Sequence, residues 1–204
     1  MQLTIGVLAV QGDVREHVRA LESADATTVL VRHSNELEQL DGIVLPGGES
    51  TTMDKLLRAC ELQQGLKDCL ANGLPAYGAC AGMILLADRV LDATHDQQTL
   101  GGFDITVRRN AFGRQGDSFE EDLWMPVIRN GENQPIRAVF IRAPWVEEGN
   151  QSVEVLATVS TGVTADRIVA IRDRTLLATS FHPEITGDGR VHEYFVDMIR
   201  NVSR

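Results

Sequence analysis

The sequence predicts an α/β protein: a three-layer fold whose open, mixed sheet is mostly parallel and carries an antiparallel extension. Three observations predict it. In the first half, short apolar runs alternate with amphipathic stretches, the pattern of parallel strands covered on both faces by helices. In the second half, strand-like runs follow one another across short connections, as antiparallel strands do. Neither half holds a linker rich in Pro, Gly or Ser, or an internal repeat. Residues 1–204 are therefore expected to form one domain.

The elements follow in order. Residues 3–10 read as a buried strand. Asp13 stands at a helix N-cap position. After it, Val14, Val18 and Leu21 recur at helical spacing while Arg15, Glu16, Arg19 and Glu22 face away. Residues 27–31 and 42–45 give the second and third strands, and a helix starting near Ser50 carries Leu56 and Leu57. Residues 75–78 form another short strand. Residues 81–90 are apolar on nearly every side and read as the buried helix that follows it. Segments 103–108, 138–142, 153–159, 167–172 and 176–181 are strand-like, with a tight hairpin turn over 172–175. Val191, Phe195, Ile199 and Val202 make one face of a closing helix.

Composition narrows the function. A formal net charge of −10 argues against nucleic acid as partner, because phosphate recognition needs a basic face. The three cysteines, Cys60, Cys69 and Cys80, are odd in number and lack C-x-x-C spacing, so neither a disulfide framework nor a zinc site is indicated. No metal and no organic cofactor is expected. The apolar N-terminus has no basic lead-in and runs directly into Gln11-Gly12-Asp13, which suits a first strand and not a signal peptide. No run is long enough to span a bilayer. The expected location is the cytoplasm.

Three segments carry chemistry. Gly78-Ala79-Cys80-Ala81-Gly82 lies between a strand and a helix, as the cysteine form of the nucleophile elbow. So sharp a turn brings the residues two before and two after the nucleophile together, hence glycine at both places. A helix N-terminus at this point favours thiolate over thiol, and the Ala81 N–H is free to bind an oxyanion. Cysteine is also a common buried residue, so the motif alone leaves the question open. Cys60 and Cys69 lack this setting and read as core or partly buried thiols. Phe181-His182-Pro183-Glu184 ends a strand at the edge where open α/β sheets place ligands. Glu184 is near enough to orient the imidazole. His17, His33, His95 and His192 lie among charged or polar neighbours and read as ordinary polar residues. Leu45-Pro46-Gly47-Gly48-Glu49-Ser50 follows a strand, and its paired glycines can turn backbone amides toward a ligand. An ordinary strand-to-helix turn has the same composition. The lysine of a phosphate loop is missing.

Together these segments resemble the class I, triad-type glutamine amidotransferases, with their Pro-Gly-Gly loop, Gly-x-Cys-x-Gly elbow and His-Pro-Glu terminus. Longer stretches narrow the match to the glutaminase subunits of pyridoxal 5′-phosphate synthase. These are Gln11-Gly12 with Arg15-Glu16-His17, the run from Leu45 through Thr52, Arg109-Asn110-Ala111-Phe112-Gly113-Arg114-Gln115, Asp117-Ser118-Phe119-Glu120, Phe140-Ile141-Arg142-Ala143-Pro144, and Thr179 through Glu184. Ala79 departs from the family, which more often has threonine there; the position borders the nucleophile without doing chemistry. The resemblance implies a class I amidotransferase fold and a catalytic triad of Cys80, His182 and Glu184. It implies a glutamine pocket lined by Gly47, Gly48, Glu49 and Ser50, with Arg109, Ile141 and Arg142 contacting or framing the substrate. Oxyanion donors fall at Gly48 and Ala81. It further implies L-glutamine as substrate, and as partner a (β/α)8-barrel pyridoxal 5′-phosphate synthase subunit in a hetero-oligomeric complex, without which the glutaminase is nearly idle. Other class I glutaminases, such as that of imidazole glycerol phosphate synthase, or a γ-glutamyl hydrolase, are rivals that the 109–115 segment disfavours. A scaffold that kept the fold and lost the chemistry is disfavoured by the intact Cys80, His182 and Glu184.

Overall fold

The computed structural model describes residues 2–113, 118–161 and 164–202. Of the motif residues, Arg114, Gln115 and Asp117 lie outside these. Strands β1 (Thr4–Leu8), β3 (Gly42–Leu45) and β4 (Ala76–Ala79) are buried almost end to end, as strands screened on both faces must be. Their side chains divide by parity. Ile5, Val7, Val44 and Tyr77 enter one core with Leu21 of α1 (Val14–Ser23) and Phe195, Val196 and Ile199 of α6 (Arg190–Val202). Leu8, Ile43, Leu45 and Ala76 point the other way. They meet Met53 and Leu57 of α2 (Ser50–Ala59), Leu62 and Leu66 of α3 (Leu62–Ala71), and Met83 and Leu85 of α4 (Ala81–Leu86). The three predicted layers are present.

The remaining strands are β2 (Thr27–Val31), β5 (Ala87–Leu91), β6 (Phe103–Arg108), β7 (Phe119–Leu123), β8 (Ile136–Phe140), β9 (Trp145–Gly149), β10 (Glu154–Thr158), β11 (Ile168–Asp173) and β12 (Leu176–Thr179). The large sheet runs β2-β1-β3-β4-β12-β11-β9-β6-β5, with β10 paired to β11 off this path. From β2 to β12 every pairing is parallel. The pairings β12–β11, β11–β9, β9–β6 and β10–β11 are antiparallel, and β6–β5 is parallel again. Strands β7 and β8 form a separate antiparallel ribbon. The hairpin expected at 172–175 joins β11 to β12, with Asp173 opposite Leu176 and Arg174 at φ +50°.

Two readings need correction. Residues 81–90 are not one helix: α4 stops at Leu86, Ala87 turns to an extended backbone, and β5 pairs with β6. The apolar run hides the change because buried helix and buried strand share a composition. Cys60 is exposed at the C-cap of α2 and is no core thiol. Helix α3, strands β7 and β9 and a 3-10 turn at Ser34–Leu37 add to the elements expected from sequence.

Candidate active site

Four neighbouring parallel strands, β1, β3, β4 and β12, necessarily end at the same edge of the sheet, where loops and not further strand pairing take up their carboxyl ends. Each delivers one part of a site there. Leu45 pairs with Gly78, and Ala79 with Thr179. The register therefore sets Cys80 one residue beyond β4, beside the segment that carries His182.

Cys80 has φ +49° and ψ −100°. An L-residue holds such a conformation only where its surroundings enforce it, at a cost of about 1–3 kcal/mol. Gly78 and Gly82 provide the enforcement. A Cβ on Gly78 would lie 2.5 Å from the Gly82 carbonyl carbon, and one on Gly82 would lie 2.1 Å from the Leu45 carbonyl oxygen. The elbow is thus wedged between its own two glycines and the end of β3. Cys80 itself keeps only 6% of its surface exposed.

His182 caps α5 (Pro183–Thr186), and its Nδ1 donates to Oε1 of Glu184 at 2.8 Å. With Nδ1 so committed, Nε2 is the ring nitrogen left for the sulfur. Oδ2 of Asp13 stands 3.4 Å from the same Nδ1. Burial works against a charge on His182, yet hydrogen bonds with Asp13, Cys80 and Glu184 outweigh it and hold its pKa well above the ordinary imidazole value. The protonated ring therefore suits a thiolate–imidazolium pair. Gly47 makes room for the ring: a Cβ there would sit 2.2 Å from His182 Cε1. Asp13, His182 and Glu184 each bring one potential metal-ligand atom within 4.8 Å of the others. All three converge on the Nδ1 proton, which already accounts for their proximity.

A cavity of about 330 Å³ opens over the sulfur. Its walls include Asp13, Gly48, Glu49, Ser50, Cys80 and His182 from the parallel strands, and Arg109, Asn110, Ile141 and Arg142 from the loops after β6 and β8. Its size suits a small metabolite. Arg109, 8% exposed, donates to Glu49 Oε1 and Thr51 Oγ1, both at 3.0 Å. Burial opposes the charge on Glu49, but the amides and hydroxyls of Thr52 and Thr51 hold its pKa below the usual carboxylate value. Arg142 and Asn110 both have left-handed backbones, φ +49° and +46°, and Arg142 Nε donates to Asn110 Oδ1 at 3.2 Å. The Glu49 N–H is taken by Gln11 Oε1 at 2.9 Å. Of the predicted residues, Gly47 and Glu184 are off the cavity wall, both against the imidazole of His182.

A family model, the SNO glutamine amidotransferase family, matches residues 7–201. The chain belongs to this family. It is 66% identical over 197 residues to the pyridoxal 5′-phosphate synthase subunit PdxT of Kineococcus radiotolerans, covering 97% of this chain and 95% of the relative. It is 60% identical to the protein of that name from Rhodococcus opacus, covering 97% and 98%. A solved glutamine amidotransferase superposes with a TM-score of 0.84 at 41% identity, covering 96% of this chain and 98% of that one. The fold also recurs in PurLQS from Thermotoga maritima, with a TM-score of 0.65 at 18% identity, covering 100% of both chains.

Sequence reasoning overlooks several groups in this family member. Asp13, expected as a helix cap, makes no capping bond with its side chain and faces His182 instead. His17 and His192, expected as ordinary polar residues, are both fully buried behind Glu184. Periodicity holds the signal, since His17 shares a helical face with Val14, Val18 and Leu21, and His192 with Phe195 and Ile199.

Proposed function

We propose that this chain is the glutaminase subunit of a pyridoxal 5′-phosphate synthase, hydrolysing L-glutamine to glutamate and passing ammonia to a (β/α)8-barrel synthase subunit in a cytoplasmic complex. What carries the reading is the convergence of Cys80, His182 and Glu184 at the end of two parallel neighbours, β4 and β12, beneath a cavity with charged walls. The family match adds the substrate class. Among the described residues, no helix is long and apolar enough to cross a membrane.

The chemistry is acyl transfer. The Cys80 thiolate attacks the side-chain carboxamide of glutamine. Charge gathers on the carboxamide oxygen, where the N–H groups of Gly48 and Ala81 meet it. Ala81 opens α4, so its N–H has no partner within the helix. His182 gives its proton to the departing nitrogen, which leaves as ammonia. Water, deprotonated by the same imidazole, then hydrolyses the thioester and frees glutamate. Glu184 stays ionised throughout and holds the ring in register. Arg109, Ile141, Arg142 and Glu49 form the walls that grip the amino-acid end of glutamine, and Gly47 gives the imidazole its space.

The deciding experiment is a glutaminase assay with and without the cognate barrel subunit, run beside Cys80→Ser. The expected result is a sharp rise in wild-type turnover when the partner is added. The variant loses glutamine-dependent synthesis while synthesis from ammonium salts continues. Equal turnover with and without the partner contradicts the gating, and loss of both ammonia sources in the variant contradicts the role of Cys80.

A further inference from the structure

Behind the proposed triad lies a pair of imidazoles that the acyl-transfer steps do not use. His17 of α1 and His192 of α6 are both fully buried, and Nδ1 of the first is 2.8 Å from Nε2 of the second. On its other side His17 turns Nε2 toward Glu184, 3.5 Å from the same Oε1 that His182 holds at 2.8 Å. The groups form a line, His182–Glu184–His17–His192, that runs from the cavity wall into the packing of α1 against α6. The ring of Tyr77, three residues before Cys80 on β4, meets both imidazoles edge-on, with centroids 6.0 and 5.5 Å away.

One arrangement of protons suits this line. A carboxylate only accepts, so the nitrogen of His17 that faces Glu184, Nε2, carries the hydrogen. Its Nδ1 is then a lone pair, and His192 donates to it from Nε2. The opposite arrangement aims a lone pair at the carboxylate and puts an N–H on Nδ1 of His192, which has no partner among the described residues. In the first arrangement the His17 Nε2–H has no ordinary hydrogen-bond partner but lies 3.5 Å from a carboxylate oxygen; in the second the His192 Nδ1–H has none among the described residues, which is the costlier orphan. Burial keeps both rings neutral, reinforced at His17 by the nearby His192 and His182; at His192 the charge of Asp188 opposes burial without overcoming it. The second carboxylate oxygen of Glu184 has no partner among the described residues either. This carboxylate rides on a helix of only four residues; His182 hydrogen-bonds it, and His17 faces the same oxygen. At 3.5 Å the His17 contact is longer than an ordinary hydrogen bond. Catalytic contacts are commonly long before substrate binds and tighten in the working complex.

We propose that His17 is a positioning residue: its Nε2–H holds the Glu184 carboxylate in line with His182, and His192 fixes the tautomer of His17 from behind. This inference rests on the reading of Cys80, His182 and Glu184 as the triad.

The test is a double-mutant cycle, read as kcat and KM for glutamine hydrolysis by the full chain with its barrel partner. His17→Leu, which removes the donor, is expected to lower kcat about tenfold with KM within about twofold, the scale of losing one hydrogen bond to a charged group. The same change on a Glu184→Gln background is expected to cost less than about twofold, because His17 acts only through Glu184. His17→Gln, whose amide can donate to the same place, restores kcat to within about threefold of wild type. An equal loss on both backgrounds, or no loss in either, overturns the proposal. If leucine at this buried position prevents folding, His17→Met against His17→Gln makes the comparison, and equal kcat for the two overturns it. Cys80→Ser, measured alongside, separates the failures. An active Cys80→Ser removes the triad reading itself, whereas an inactive one with a wild-type His17→Leu removes only the role of His17.

Discussion

The parallel strands of the large sheet and the antiparallel strands, the separate β7–β8 ribbon included, divide the labour. Strands β1, β3, β4 and β12 send their carboxyl ends to one edge, and Asp13, the Gly47–Gly48 loop, Cys80 and His182 all stand there. The antiparallel part contributes none of the atoms placed in the bond-breaking step. Its loops after β6 and β8 supply Arg109, Asn110, Ile141 and Arg142, and two of these four hold left-handed backbones. Outside those loops it carries exposed ion pairs, such as Arg137 with Glu120 and Asp122 across the β7–β8 ribbon, which solvent screens and which add little. On the proposed function, the contrast teaches that the reacting groups sit where parallel register fixes their separation, whereas the loops after β6 and β8 add only to recognition, beside Glu49.

That division can be broken by mutation. The largest effect is expected at Gly47→Ala. The new methyl would meet His182 Cε1 at 2.2 Å and Nδ1 at 2.7 Å, so the ring must move, and a displacement of that order costs about a hundredfold in kcat. Steady-state kinetics with the barrel partner checks this; a kcat within about threefold of wild type would mean the imidazole position is not critical. A smaller effect of a different kind is expected at Arg142→Ala, on the recognition side. There KM for glutamine should rise about tenfold with kcat within about threefold, the signature of binding lost equally in ground and transition states. A fall in kcat with unchanged KM would erase the division.

Much of this contrast is legible in the sequence. The parallel strands announce themselves as apolar runs closed by turn residues, and Gly78, Cys80 and Gly82 mark the strained elbow, where a Cβ at either glycine would strike backbone. The antiparallel part is harder to read. The segment Phe119–Leu123 holds three consecutive acids, yet it is a strand with one buried face, Glu121 accepting from Ser160 while its neighbours are exposed. Helix α3 begins after Glu61 in a left-handed conformation that no capping residue signals. The buried histidines escape sequence reasoning for another reason. Arg15, Glu16 and Arg19 surround His17 along the chain, but whether a helical face is buried depends on what packs against it, and α6 arrives from the far end of the sequence.

The smallest expected effect concerns that pair. His17 and His192 have pKa values below that of a free imidazole, His192 at about 4 against 6.5. Groups lowered in the folded state contribute stability that is fully present above the unfolded value and is lost as pH falls. Unfolding free energy should therefore decline as pH falls from about 6.5 toward about 5, by roughly 1 kcal/mol per pH unit from His192, with His17 acting in the same direction. Urea denaturation across that window checks it, and a flat profile would contradict a neutral buried pair.

The most direct measurement uses the three cysteines against one another. Cys60 is exposed, Cys69 half-buried and Cys80 buried, so simple accessibility and activation by His182 predict opposite orders of reaction. Treating the chain with an electrophilic glutamine analogue beside its barrel partner, and mapping the adduct by mass spectrometry, decides between them. A thiolate activated by His182 predicts a single label per chain, on Cys80, abolished by His182→Ala. Labelling that starts at Cys60 and leaves Cys80 untouched would contradict it.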